Sequence, residues 1–206
     1  MTIEAEFQRR ASELIDVGRI LYRQGWVPAT SGNFSARLSD GSVVITVSGR
    51  HKGRLTINDL MRVNAQGQSL DGRKPSAETA LHLALYARFP KIKSVLHPHS
   101  PAAILASRLF KNEVILKDHE LLKALEGIDT HEHRLVVPIF ANDQDIPRLA
   151  TKVNHYIDQH GAILAYIIAG HGFYTWGHSV ADAMKSVEAL EFMFECETRY
   201  YGVKHL

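Results

Sequence analysis

The sequence predicts an α/β fold in which helices cover a mixed β-sheet. Helix-patterned segments alternate with short apolar runs along the chain, and a hairpin signal, Ser39-Asp40-Gly41, separates two adjacent strand candidates. Two further apolar runs each lead into histidine. The chain has 206 residues, of which 45% are hydrophobic and 22% charged, so it can bury one good core, and we expect a single domain over residues 1–206.

The first predicted elements are a long helix and a hairpin. Apolar side chains keep helical spacing over residues 3–24, and Gly25 ends that helix. Strands are predicted at 34–38 and 43–47, because the turn signal separates these two runs. The remaining elements of this half are a short capped helix at 56–60 and a strand at 61–63.

The second half continues the alternation of helices and strands. A helix opens within residues 74–78, where Ser76 is a natural N-cap, and another follows the cap Ser100, with proline at its first position. The last long helix begins after Ser179 and is expected to end at Gly202. The other predicted elements are a strand that leads into His97, strands at 114–116, 135–140 and 162–169, and a helix at 145–159.

A histidine pair at the end of an apolar run is the strongest functional signal. His97 and His99 are two positions apart, so in an extended chain their side chains point to the same side of the sheet. Two imidazoles on one side suit a divalent ion such as Zn²⁺, whose catalytic sites use about three protein ligands and keep one position open. The pair therefore predicts a metal centre that needs a third ligand.

The best candidate for the third ligand is His171. It follows the apolar run 162–169 and lies between Gly170 and Gly172, which let the backbone turn and approach a neighbour closely. The structural alternative is that the pair only ends a strand, while His171 hydrogen-bonds within a turn.

A second pair with the same spacing competes for the metal. His131 and His133 precede their strand, so we expect them in an entry loop. Loop ligands lack the fixed direction that a strand end supplies. The second pair is therefore the weaker candidate.

A loop after the second hairpin strand could hold an anion. Ser48 and Gly49 open the loop 48–54, which combines small residues, backbone N–H groups and cations. Such a loop can form an anion nest for a phosphate, and a basic, solvated loop is the alternative. The polar, glycine-containing turn at 26–35, which includes Asn33, indicates only a solvated connection when it is considered alone.

Two glutamates are candidates for acid/base chemistry. Glu78 lies in the first turn of its predicted helix, where a carboxylate suits the helix dipole, so a structural role alone could explain it. Fixed near a metal, it could equally be a base or a ligand. Glu120 lies in the segment 117–125, and its local pattern favours a solvated helix face.

Composition argues against several other classes of function. The formal net charge is +2, and Lys and Arg are scattered, so nucleic acid is not expected as a partner. We find no N-terminal leader pattern and no apolar run long enough to span a membrane, and we expect a cytoplasmic protein that binds a small molecule. The single cysteine, Cys196, excludes an intrachain disulfide and a cysteine-based zinc site.

Taken in order, five short motifs resemble the class II aldolase/adducin family, and the resemblance covers nearly the whole chain. Its metal motif is fairly specific, because a strand-end histidine pair and a later Gly-His-Gly turn occur together. The motifs are Thr30-Ser31-Gly32-Asn33, Ser48-Gly49, Lys74-Pro75-Ser76-Ala77-Glu78, His97-Pro98-His99 and Gly170-His171-Gly172.

The resemblance implies a three-layer α/β/α sandwich with a mixed, largely antiparallel central sheet, and usually a homotetramer with sites near subunit boundaries. It implies one Zn²⁺ per subunit, held by His97, His99 and His171. The acid/base residue would be Glu120 in a dehydratase and Glu78 in an aldolase. The residues that would bind a substrate phosphate are Asn33, Ser48, Gly49 and Ser76.

We expect a lyase that removes water from a small sugar phosphate through zinc-stabilised enediolate chemistry. Glu120 would take up a proton and then donate it, which requires partial burial and a pKa raised toward neutrality. The nearest alternative is a sugar-phosphate aldolase or epimerase that uses Glu78. The alternative from another class is a non-catalytic, adducin-like interaction module, which the complete histidine set disfavours.

Overall fold

A mixed eight-stranded sheet forms the centre of the protein, whose computed structural model describes residues 2–204. The strands are β1 (Asn33–Arg37), β2 (Val43–Thr46), β3 (Leu60–Val63), β4 (Ser94–His97), β5 (Glu113–Leu116), β6 (Leu135–Phe140), β7 (Ala165–Ile168) and β8 (Gly172–Gly177). In space they run in the order β3-β2-β1-β4-β8-β7-β6-β5. All neighbours are antiparallel except β6 and β7, which are parallel, so the prediction of a mixed, largely antiparallel sheet is confirmed.

Helices cover both faces of this sheet. The α-helices of the described chain are α1 (Ile3–Arg23), α2 (Thr79–Arg88), α3 (Pro101–Leu109), α4 (Ile146–His160) and α5 (Val180–Lys204). Buried side chains of α1, α3 and α5 share one hydrophobic cluster with the sheet, whereas those of α2 and α4 share another. The predicted α/β/α arrangement is therefore confirmed. None of the helices within residues 2–204 is both long and apolar enough to span a membrane.

Strand β4 lies in the middle of the sheet, and its side chains alternate between the two layers. Val95 packs in the cluster with α2 and α4, and Leu96 packs in the cluster with α1, α3 and α5. His97 shares the side of Val95, pairs across the sheet with Asn33 of β1, and stacks on the ring of Tyr174 of β8. The end of β4 therefore carries its histidine to the face that α2 covers.

Strand β8 is an element that the sequence analysis missed. Its aromatic residues Phe173, Tyr174 and Trp176 favour a strand, but the sequence analysis assigns no element to the segment between His171 and the last helix. The two strands form a tight antiparallel hairpin in which Ile168 pairs with Gly172. Because β8 lies between β4 and β7, it places the hairpin turn beside the end of β4.

Two predicted helix boundaries are wrong. Helix α2 begins at Thr79, and the Ser76 hydroxyl instead accepts a hydrogen bond from the Glu78 N–H, at 3.3 Å, in the preceding turn. Helix α5 continues through Gly202, which does not adopt the positive φ of a left-handed helix cap. Glycine inside a helix costs only about 1 kcal/mol, so the surrounding helix can absorb it.

Candidate metal centre

Three imidazoles converge near the centre of the sheet. His97 ends β4, His99 lies two residues beyond it, and His171 lies in the turn between β7 and β8. The Nε2 atom of His97 is 2.9 Å from that of His99 and 3.4 Å from that of His171. The structure thus brings together the three histidines that the sequence singled out.

A carboxylate joins the imidazoles. Glu78, in the turn before α2, places Oε1 3.1 Å from Nε2 of His171 and 3.7 Å from Nε2 of His97. One ligand atom from each of Glu78, His97, His99 and His171 lies within 4.8 Å of the others. Burial alone would raise the pKa of Glu78, but the hydrogen bond from His171 opposes this shift and the pKa lies below its usual value. This proximity is more than the sequence predicts for Glu78.

The donor set fits a divalent metal ion. Burial lowers the pKa of His97 to about 3 and that of His99 to about 2, so both imidazoles are neutral and carry a free lone pair. His97 Nδ1 donates to the Phe173 carbonyl at 2.8 Å, which leaves Nε2 as the ligating atom. Two nitrogens bound tetrahedrally to zinc lie roughly 3.3 Å apart, close to the observed separations.

Gly172 allows the β7–β8 turn to reach the histidine pair. A Cβ at this position would overlap the carbonyl oxygen of Pro98 and press on the His97 ring. The Phe173 N–H donates to the same carbonyl at 3.2 Å, so the hairpin lies directly against residues 97–99. Gly170 has a φ of +65°, which the sharp turn before His171 requires.

A cavity of about 160 Å³ opens beside the cluster. Its walls include His99, His171 and Glu78. The walls also include all of the residues predicted to bind phosphate, which are Asn33, Ser48, Gly49 and Ser76. Hydroxyl, amide and backbone N–H groups of this kind are donors for an oxyanion next to the imidazoles.

Lys52 is a functional candidate that the sequence analysis did not single out, although it lies in the loop 48–54, which was interpreted as an anion nest with a basic, solvated loop as the alternative. Its side chain is 1% exposed and lines the same cavity. The ammonium donates to the carbonyl oxygens of Arg50 at 2.7 Å and Thr30 at 2.9 Å, so it links the two loops on either side of the cavity. Burial lowers the pKa of Lys52 to about 8, although the Glu78 carboxylate raises it.

Glu120 lies outside the cluster within a single chain. It begins a short 3₁₀ turn, Glu120–Ala124, after the edge strand β5, whereas the imidazoles lie at the centre of the sheet. Its carboxylate is exposed and forms an ion pair with Lys123, and the hydrogen bond from Lys123 lowers the pKa of Glu120. The expectation of partial burial and a raised pKa is therefore wrong for the isolated chain.

The alternative histidine pair does not join the cluster either. His131 and His133 are exposed in the loop before β6, as their position before a strand predicts. Of the two pairs, the one at the strand end is the one that meets His171 and Glu78.

Comparison with known proteins identifies the family. Residues 12–198 match the family model described as the class II aldolase and adducin N-terminal domain. The chain belongs to this family. This class II aldolase/adducin protein is 65% identical over 201 residues to a methylthioribulose-1-phosphate dehydratase of Methylococcus capsulatus, and the match covers 98% of each chain. It is 50% identical over 194 residues to a dehydratase of the same name from Pseudomonas paraeruginosa, covering 93% of this chain and 95% of the relative.

Solved structures of class II aldolase/adducin proteins share the fold. The L-fuculose-1-phosphate aldolase of Thermus thermophilus is similar with a TM-score of 0.78 and 25% identity, covering 96% of this chain and 97% of the other. A sugar-phosphate aldolase of Thermotoga maritima is similar with a TM-score of 0.74 and 18% identity, over 96% and 97% of the two chains, and shows the fold alone. The family predicted from the sequence motifs is confirmed.

Proposed function

We propose that this protein is a zinc-dependent hydro-lyase that removes water from 5-methylthioribulose 1-phosphate. The product would be 2,3-diketo-5-methylthiopentyl 1-phosphate, an intermediate of methionine salvage. The observation that carries the proposal is the imidazole cluster beside a cavity rich in oxyanion donors. The substrate is inferred from the name of the relative that is 65% identical to this chain.

His97, His99 and His171 would hold the metal ion through the Nε2 atoms that face one another. A bound Zn²⁺ would supply positive charge beside the carbonyl and neighbouring hydroxyl oxygens of the sugar, which acidifies the adjacent C–H group. The Phe173 carbonyl holds the His97 ring in the tautomer that ligation needs.

The phosphate group would bind in the same cavity, whose walls include Asn33, Ser48, Gly49 and Ser76. These donors carry no net charge. Lys52 would supply a positive charge and a hydrogen bond, because carbonyl oxygens use only two of its three N–H groups and one is left for the phosphate. Fixing the phosphate sets the position of the reacting carbons relative to the imidazoles.

The elimination needs a group that moves one proton. A carboxylate takes the proton from the third carbon and passes it to the hydroxyl on the fourth carbon, which leaves as water. We assign this role to Glu120, delivered by a neighbouring protomer of a cytoplasmic homotetramer. Support comes from the exposed position of Glu120 and from the partly exposed apolar side chains Ile115 and Leu121 near it, which a second copy of the chain would cover.

A sugar-phosphate aldolase or epimerase is the second candidate function. The observation that favours it is the position of Glu78, whose carboxylate already contacts His171 within one chain. An ionised carboxylate at that place could remove a proton from a bound ketose phosphate without help from another subunit.

Product analysis separates these two functions. Purified, zinc-loaded protein is incubated with 5-methylthioribulose 1-phosphate and, separately, with L-fuculose 1-phosphate. The dehydratase proposal predicts a diketone that is lighter by one water in the first reaction, and no dihydroxyacetone phosphate in the second. The reverse pattern would establish an aldolase. If the native protein contains no stoichiometric metal and turns over neither compound, the non-catalytic interaction module would be favoured.

A further inference from the structure

A buried chain of polar side chains runs from the substrate cavity into the space under α2. Its members, in order from the cavity, are Glu78, Asn33, His82, Ser35 and Tyr86. His82 and Ser35 are fully buried, and no water-exposed group interrupts the chain at these positions. The Ser35 hydroxyl is 2.7 Å from His82 Nδ1 and 2.9 Å from the Tyr86 hydroxyl, and Asn33 contacts both His82 Nε2 and Glu78 directly.

The direction of each hydrogen bond follows from donor and acceptor chemistry. A carboxylate only accepts, so the Asn33 amide must present its NH₂ group to Glu78. The amide oxygen then faces His82 and can only accept, so His82 Nε2 must carry the proton.

The hydrogen bonds among Tyr86, Ser35 and His82 also have one defined direction, from donor to acceptor toward His82. Burial lowers the pKa of His82 to about 4, so the ring is neutral at physiological pH and its Nδ1 is an acceptor. The Ser35 hydroxyl therefore donates to Nδ1, and the Tyr86 hydroxyl is left to donate to Ser35. Every member has a partner and a single role, which favours one orientation of the Asn33 amide over its flipped form.

We infer that His82, in its Nε2–H tautomer, is a positioning residue that fixes the Asn33 amide with its NH₂ group toward the substrate cavity. One amide proton binds Glu78, and the other remains for the phosphate of the substrate. Without His82, the amide can turn its oxygen toward the cavity, where it would meet two acceptors, the carboxylate and the phosphate. This inference rests on the proposed phosphate-binding role of Asn33.

A double-mutant cycle on the zinc-loaded, full-length protein tests the inference. His82→Leu should raise the KM for 5-methylthioribulose 1-phosphate and the dissociation constant for inorganic phosphate by roughly 10-fold, the loss of one hydrogen bond to a charged group, with zinc content unchanged. His82→Gln keeps a donor for Asn33 and should recover part of this loss. In an Asn33→Ala background, His82→Leu should add less than about 2-fold, because His82 acts through Asn33.

Tyr86→Phe is the matched control, since it removes a buried polar group from the same chain but leaves the Ser35 and His82 directions intact. It should change stability and leave both constants within about 2-fold of wild type. A full additional loss in the double variant would show that His82 serves only packing, and would overturn the inference.

Two further readouts keep the test decisive. Calorimetric binding of inorganic phosphate needs no turnover, so a protein that does not dehydrate the proposed substrate fails the functional proposal while the His82 comparison stays readable. If His82→Leu does not fold, nitrogen-15 NMR of the wild-type histidines replaces it. A protonated Nε2 on His82 supports the inference, and a protonated Nδ1 contradicts it.

Discussion

Individual charged residues in the cavity are held in place by burial. Lys52 is the clearest example, because its ammonium is enclosed yet still donates to two carbonyl oxygens. Its lowered pKa of about 8 means that its charge is present below that pH and is lost as the pH rises through it. Any contribution of this charge to phosphate binding must therefore also be lost as the pH rises through that value.

The KM for the phosphorylated substrate should therefore rise as the pH passes about 8. Removal of the charge in Lys52→Met should raise the KM by roughly 10-fold below that pH and abolish the pH dependence of the KM above it. Steady-state kinetics between neutral and alkaline pH measures both effects. Lys91→Met, at an exposed lysine outside the segment of Glu120, is the control and should keep the wild-type profile. A wild-type profile in Lys52→Met would remove Lys52 from the phosphate site.

Local sequence could predict some of these residues and not others. His97 and His99 were predictable because alternation along a strand puts them on one side, and His171 because glycines surround it. The contact between Glu78 and His171 depends on how α2 packs on the sheet, which no local pattern records. The burial of His82 and Lys52 is likewise a result of tertiary packing.

The β7–β8 hairpin is the element on which the metal centre most depends. Its first strand was predicted and its second was not, although the turn between them was correctly taken as the place where His171 approaches the pair. Short aromatic runs are ambiguous in sequence, and the pairing with both β7 and β4 establishes that Gly172–Gly177 is a strand.

Gly172→Ala should lower the free energy of unfolding by about 1–3 kcal/mol and weaken zinc binding, because the new methyl group overlaps backbone at Pro98 that cannot move freely. Chemical denaturation and zinc titration measure these effects. Gly202→Ala is the matched control in an open helical position, and it should raise the free energy of unfolding by about 0.5–1 kcal/mol. Equal stability of the two variants would contradict the close approach of the hairpin.

Helix α5 carries a buried carboxylate, Glu191, whose titration should be visible in the free energy of unfolding. Burial raises the pKa of Glu191 from 4.5 to about 7, although the hydrogen bond from Ser100 opposes the shift. The folded state therefore binds more protons than the unfolded state between these values, and stability should fall as the pH rises through that window.

Glu191→Gln should flatten this dependence, because the amide can still accept from Ser100 but does not ionise. Each pKa unit corresponds to about 1.4 kcal/mol, so the gain in unfolding free energy at pH about 8 should not exceed about 3.5 kcal/mol. Urea unfolding across this pH range measures it. Glu188→Gln, exposed on the same helix, should leave the slope unchanged. A slope that survives in Glu191→Gln would assign it to another group.

At the scale of the whole molecule, the proposed dehydration requires Glu120 and the imidazoles to come together. They are separated in one chain because Glu120 follows the edge strand β5, while the imidazoles lie at the centre of the sheet. The alternation of elements predicted helices that cover a mixed sheet, and the resemblance to the family implied the three-layer sandwich. The local pattern around Glu120 predicted a solvated position, and the single chain agrees with it, whereas the acid/base role implied by the resemblance required partial burial.

Mixing two inactive variants tests whether Glu120 of one protomer completes the site of another. His97→Ala lacks a metal ligand and Glu120→Gln lacks the proposed acid/base, and each should have little activity alone. Co-refolded mixtures should regain part of the wild-type rate, since some sites combine intact imidazoles with Glu120 from a neighbour. If the two residues act within one chain, no mixture regains activity. Size-exclusion chromatography with light scattering confirms that mixed oligomers have formed.

The central claim is that His97, His99 and His171 hold one zinc ion per chain. X-ray absorption at the zinc edge of the purified protein, combined with metal analysis, measures it most directly. We predict one zinc per chain surrounded by three imidazoles, the same spectrum in His131→Ala, and loss of the metal in His97→Ala. Full zinc occupancy in His97→Ala, or a wild-type spectrum with fewer than three imidazoles, would contradict the account.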